Sequence, residues 1–216
     1  MPDHVDLPPG LPPVLYRDER IIVLDKPTGL LSVPGIGPEK ADCMAKRVAD
    51  AFPGARIVHR LDRDTSGVIM MAFDAEAHRE LSRQFHDREV EKSYVAVVAG
   101  VVEGDEGVVD LPMRKDLDDP PRQIIDHVHG RRAVTKWRVI ERQPDRTRLE
   151  LRPLTGRSHQ LRLHLKETGH PILGDDLYAP PNVQAMAARL LLHAHSLTIV
   201  HPGTAELLTF SSPVPF

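Results

Sequence analysis

The chain has 216 residues, a formal net charge of −3, a single cysteine, and 41% hydrophobic against 27% charged residues. That length supports one domain with a full core. The lone Cys43 excludes an internal disulfide and fits a reducing cytoplasm, no apolar run is long enough to cross a bilayer, and Met1-Pro2-Asp3-His4 lacks the basic and apolar regions of a secretory signal. The slightly acidic balance argues against an indiscriminate nucleic-acid coat, which needs many phosphate contacts, while leaving room for a local basic groove.

Residues 1–13 are proline-rich and aperiodic, and read as an extended N-terminal arm ahead of a single domain over 14–216. Residues 21–24 form a short apolar run expected to be a buried strand. Two turn-rich stretches follow, Lys26-Pro27-Thr28-Gly29 and Pro34-Gly35-Ile36-Gly37-Pro38. Residues 41–52 have helical character, stopped by Pro53-Gly54, and place Cys43 inside a helix as a small core residue. The unbroken apolar run 68–73 predicts a strand buried on both faces. Asp74 is placed to cap a helix running to about residue 87, with Ala77, Leu81 and Phe85 on one face.

A strand is expected over 94–99, then a long surface excursion over 103–130, rich in Gly, Asp and Pro. Residues 133–140 and 147–151 read as paired strands turning at Gln143-Pro144-Asp145. Ser158 is placed to cap a helix that Gly169 ends, and residues 190–200 and 207–210 make a closing strand pair. Strands and helices mix without strict alternation, so the expected class is α+β.

The densest polar cluster is His59-Arg60-Leu61-Asp62-Arg63-Asp64-Thr65-Ser66-Gly67, directly before the apolar run. Loops held by rigid elements concentrate function. A calcium loop is excluded, because its twelfth position, which needs a bidentate Glu, is Phe73. An aspartyl-phosphate phosphatase is a remote reading of Asp62 and Asp64, since its strand should precede the cluster. The third reading is an isolated nucleophilic carboxylate flanked by arginines.

His59-Arg60-Leu61-Asp62 followed by Thr65-Ser66-Gly67 resembles the catalytic signature of the RluA family of pseudouridine synthases. Four further segments in order resemble that family: 26–35, Lys92-Ser93-Tyr94-Val95-Ala96, Leu154-Thr155-Gly156-Arg157-Ser158-His159-Gln160-Leu161-Arg162, and the late stretch around 169–178 together with 189–194. Separated motifs in one order carry weight that none has alone. The compact length, without an S4 RNA-binding domain, is similar to family members that modify both a 23S ribosomal RNA loop and the anticodon stem-loop of transfer RNA.

The resemblance implies a mixed, mainly antiparallel sheet with flanking helices and a central active-site cleft. It implies isomerisation of uridine in RNA, with Asp62 starting the reaction, Arg157 pairing with Asp62, Tyr94 stacking on the target base and Leu161 closing the apolar wall. Arg60 is the position that fills the gap left by an extruded nucleotide. Arg63, Arg131, Arg132, Lys136 and Arg162 are candidates for RNA backbone contacts. The chemistry is redox-neutral, so no cofactor and no metal are expected, and the partners are RNA stem-loops acted on by a cytoplasmic monomer.

Each residue alone has a plainer reading. An Asp before a strand is usually a turn residue, Arg157 a surface ion-pair partner, and Tyr94 a strand aromatic. An alternative for the whole chain is an RNA-binding module on the same fold without activity. His193, His195 and His201 invite a zinc hypothesis, but no cysteine is in range, and His159 and His164 are expected on different helix faces.

Overall fold

The computed structural model describes residues 10–216, so residues 1–9 of the expected arm lie outside the described residues. Its elements are β1 (Val14–Arg17), β2 (Ile21–Lys26), α1 (Met44–Ala51), β3 (Arg56–Ile57), β4 (Ser66–Ala72), α2 (Ala75–Asp87), β5 (Glu91–Ala99), β6 (Glu106–Asp110), β7 (Met113–Lys115), β8 (Gln123–Ile125), β9 (Val134–Gln143), β10 (Arg146–Pro153), α3 (Gln160–Glu167), α4 (Pro181–Gln184), β11 (Leu192–Val200) and β12 (Leu207–Ser211).

Every residue of β4 is buried, because the sheet is covered on both sides there. Successive strand residues point to opposite faces. Val68, Met70 and Ala72 join Ile21 and Val23 in a cluster with Ala77 and Leu81 of α2. Ile69 and Met71 join Ile22 and Leu24 against Met44 and Val48 of α1. A third cluster lies beneath β5 and β10, where Ala96, Val98, Leu149 and Leu151 pack on Leu161 and Leu165 of α3.

The main sheet has ten strands in the order β1-β2-β4-β11-β5-β10-β9-β6, with β12 added on β11 and β3 on β4. All its pairings are antiparallel except β4 with β11. That parallel pairing is short, His193 opposite Ser66 and Ala194 opposite Gly67. β11 stays paired with β5 as far as Thr198, past an irregularity between Ala194 and Ser196, and from Ser196 onward its other edge pairs with β12. The sheet is thus mixed and mainly antiparallel, and the fold is α+β. No described helix is long and apolar enough to cross a membrane.

Several local expectations are corrected. Helix α1 starts at Met44, and Cys43 is its N-cap, with the sulfur accepting from the Lys46 amide. The segment 103–130 is not wholly irregular: β6 extends the sheet edge, and β7 pairs with β8 in a separate two-stranded ribbon. Ser158 does not cap α3. The residue at that position is His159, in the left-handed conformation at φ 55°.

Candidate active site

The loop that carries Asp62 is held from below by the early turn-rich segment. Lys26 is fully buried, and its ammonium donates to the carbonyls of Pro27, Leu30 and Arg63 at 3.0, 2.6 and 2.8 Å. Burial pushes the Lys26 pKa down to about 8, against the opposing charges of Asp64 and Asp62. The Ser32 hydroxyl donates to the Leu61 carbonyl and accepts from the Leu61 amide, at 2.7 and 3.0 Å. Thr28 donates to the Asp64 carbonyl at 2.8 Å. Residues 26–35 are therefore a cradle for the backbone on both sides of Asp62.

Gly67 sets the exit of that loop. Its φ is +111°, and a Cβ there would run into the Ala194 backbone, so only glycine lets β4 approach β11 at this point. His59 fixes the entry. Its Nε2 accepts from the Met70 amide at 3.0 Å, and its ring stacks on Phe85 at 4.7 Å. Burial, with a smaller effect from the Lys92 charge, pushes the His59 pKa down to about 3.

Between this loop, the start of β5, the end of β10 and the start of α3 lies a cavity of about 470 Å³. Asp62, Tyr94, Arg157, Arg60, Leu161 and Arg162 all line it. Tyr94 stands on β5 opposite Ala194 and Leu151. Burial, reinforced by the Asp62 charge, raises its pKa and keeps the phenol protonated.

The expected ion pair between Asp62 and Arg157 is not made. No N···O contact within 4.0 Å joins them, and among the described residues the basic side chain within that range of Asp62 is His159, at 3.9 Å. Arg157 lies on the loop before α3, where its backbone amide donates to Gln160 Oε1 at 3.0 Å and its buried Nε has no hydrogen-bond partner. Arg162 is on the helix itself, 2% exposed, with a bidentate pair to Asp175 at 2.8 and 2.6 Å and a further bond to Asp176 at 2.8 Å. Burial would lower its pKa, but the bonds to Asp175 and the charges of Asp175, Asp62 and Asp176 outweigh this and raise it. The guanidinium whose charge couples to that of Asp62 is thus Arg162, and its bonds to the buried Asp175 and to Asp176 leave it unsuited to a phosphate backbone.

The remaining cationic candidates lie outside the cavity. Arg63 is paired with Asp64 and Asp176, and Arg132 with Asp110. Arg131 and Lys136 are exposed elsewhere. Two cavity cations, Arg88 and Lys92, and the contact residue His159 have no role that the sequence motifs assigned. Gln160 was also missed. It is buried, its Oε1 accepts from Thr155 Oγ1 and the Arg157 amide, and its Nε2 donates to the Val134 carbonyl and Thr135 Oγ1, at 2.7 to 3.0 Å. This amide welds the loop 155–160 to β9. A glutamine following a turn gives no sequence signal of such a role beyond its place in the motif.

The histidines considered for zinc are engaged elsewhere. His193 bonds Ser66 and the Ser212 carbonyl, His195 the Ser212 carbonyl, and His201 Asp18. Among the described residues, no three His, Cys, Asp or Glu side chains are grouped to hold a metal ion.

Comparison with known proteins matches residues 20–167 to the RNA pseudouridylate synthase family. The dual-specificity RNA pseudouridine synthase RluA of Haemophilus influenzae is 50% identical over 204 residues, covering 94% of this chain and 93% of its own. That of Escherichia coli K12 is equally similar, with the same coverage. Among solved structures, human RNA pseudouridylate synthase domain containing 1 superposes with a TM-score of 0.79 at 26% identity, over 94% of this chain and 84% of that one. A match of this extent, across the loop of Asp62 and both walls of the cavity, makes the chain a member of the RNA pseudouridylate synthase family.

Proposed function

We propose that this chain isomerises uridine to pseudouridine in folded RNA, with Asp62 starting the reaction. The observation that carries the residue assignment is the meeting, in one cavity, of the Asp62 carboxylate, the Tyr94 ring and an apolar wall including Leu161 and Leu192. The bond from ribose C1′ to N1 of uracil must break, a bond from C1′ to C5 must form, and the C5 proton must leave. Asp62 acts either as a nucleophile at C1′ or as a base toward the ribose. Arg162 keeps a positive charge beneath it, and Tyr94 offers the base a flat face and a protonated hydroxyl.

A stacked uridine cannot reach this cavity, so the nucleotide is extruded. Arg60 is exposed at the cavity rim, where a planar cation can take the vacated place in the stack. Arg157, whose Nε lacks an internal partner, is assigned to the substrate and not to Asp62. Its relatives are dual-specificity RNA pseudouridine synthases, and the family resemblance of the sequence motifs supports a 23S ribosomal RNA loop and a transfer RNA anticodon stem-loop as substrates, acted on by a cytoplasmic monomer without cofactor or metal.

Tritium release from RNA carrying 5-tritiated uridine tests this, because isomerisation expels the label from C5. The wild-type chain is expected to release it, and Asp62→Ala to lose at least about a thousandfold in rate. RNA binding by the wild type without release would make the chain a binding module. Magnesium-dependent phosphate release would support the phosphatase reading instead.

A further inference from the structure

His159 occupies an unusual backbone position, φ 55° and ψ 16°, immediately before α3. Histidine enters the left-handed region more readily than most non-glycine residues, and here the conformation turns the ring back toward the cavity, which it lines. Its two nitrogens face different partners. Nδ1 is 2.8 Å from the Tyr178 hydroxyl, and Nε2 is 3.9 Å from Asp62 Oδ1.

The hydrogen-bond chain behind the ring determines which nitrogen carries the proton. The backbone amide of Gln123, on β8, donates to the Tyr178 oxygen at 2.8 Å. An amide can only donate, so the phenol's own hydrogen remains free for the other short contact, to Nδ1. Among the described residues Nδ1 is the one acceptor within hydrogen-bond reach of that hydroxyl, so Nδ1 accepts, and in the neutral ring Nε2 bears the hydrogen. The Tyr178 ring meets the imidazole edge-on at 5.7 Å and lies 5.4 Å from the Arg162 guanidinium, which fixes it from the other side.

We propose that His159 is a positioning residue for Asp62: held by Tyr178 as the tautomer protonated at Nε2, it presents a donor to the carboxylate and keeps that group aimed into the cavity. At 3.9 Å the contact is longer than a direct hydrogen bond. The effect is electrostatic and leaves the carboxylate free to move onto the substrate. Other groups face the same carboxylate through their charges or protons: Arg162 from α3, Tyr94 from β5, Lys26 from β2, and Tyr178. The groups facing His159 are Asp62, Arg162, Asp175 and Arg60. Burial lowers the His159 pKa and outweighs the carboxylates, so the ring is neutral at neutral pH, as the tautomer argument requires.

This inference rests on the reading of Asp62 as the group that starts the reaction, and the experiment separates the two. Single-turnover tritium release from a 5-tritiated stem-loop is followed at increasing enzyme concentration, which separates the limiting rate of the chemical step from RNA affinity. His159→Ala is expected to lower the limiting rate about tenfold and to leave the half-saturating enzyme concentration within about twofold of wild type. Tyr178→Phe, which removes the hydrogen directed at Nδ1, is expected to lower the limiting rate by less. His159→Gln, with an amide donor near the Nε2 position, is expected to restore most of the wild-type rate.

If His159→Ala is too strained to fold, His159→Asn takes its place, since Asn tolerates the left-handed conformation and its amide is too short to reach Asp62. An unchanged limiting rate with weakened RNA binding, or a Gln variant no better than the Ala variant, overturns the proposal. Undiminished release by Asp62→Ala overturns the underlying reading instead.

Discussion

At the scale of single residues, the walls of the site are held by buried polar side chains that hydrogen-bond to neighbouring backbone. Gln160 uses both acceptor and both donor positions of its amide, tying Thr155 and Arg157 to Val134 and Thr135. Removing it leaves those groups buried and unpaired, each with a desolvation penalty. Gln160→Ala is expected to lower unfolding free energy by roughly 2–4 kcal/mol in urea denaturation. Gln160→Glu should be nearly as harmful, because a carboxylate accepts from Thr155 and Arg157 but cannot donate to the Val134 carbonyl. A Glu variant as stable as wild type would show that the donated bonds contribute nothing. Asp62 and Tyr94 were legible because chemistry-bearing residues recur in an ordered set of motifs. The partner of Asp62 was not. Arg157 and Arg162 stand five apart in one motif, and only the folded helix shows which is buried beside Asp175 and which is left in the loop. The roles of His159 and Gln160 depend on side-chain direction, which residue type and spacing do not reveal.

At the scale of elements, strands covered on both sides were readable and thin edge strands were not. β4 announced itself by an unbroken apolar run, and α2 by an Asp74 cap that accepts from Glu76 and Ala77, each at 2.9 Å. In contrast, β6, β7 and β8 are short and largely exposed or half-buried, so their composition looks like that of a loop. The junction of β4 with α2 has a built-in acid sensitivity. The His59 ring accepts from the Met70 amide while stacked on Phe85, and protonating Nε2 would remove the acceptor. The folded-state pKa of about 3 lies below the ordinary 6.5, so on acidification the unfolded chain binds the proton first. The stability contributed by the neutral ring is complete above about pH 6.5 and is lost as pH falls toward about 3. His164 and His193, also lowered chiefly by burial, act in the same direction. The urea midpoint of the wild type is expected to fall more steeply between about pH 7 and about 4 than that of His59→Gln. Parallel slopes would count against a neutral His59.

At the scale of the whole molecule, a net charge of −3 is compatible with RNA binding because the cations are concentrated. Arg60, Arg88, Lys92 and Arg157 line the cavity, whereas many surface arginines, such as Arg83, Arg132 and Arg138, are already paired with carboxylates. Four cations meeting phosphates would give a plot of log affinity against log salt with a slope of about −3. Filter binding of a stem-loop across a salt series measures it, and a slope near −8 would require a much wider basic surface. The parallel contact between β4 and β11 spans only two residue pairs. Asp62 hangs from the β4 side of that joint, while Tyr94, Leu161 and Arg162 belong to the side built from β5, β10 and α3. That junction sets the gap between the two walls. Gly67 lies on it, so a bulkier residue there would act at a distance, prising carboxylate and aromatic ring apart without touching either.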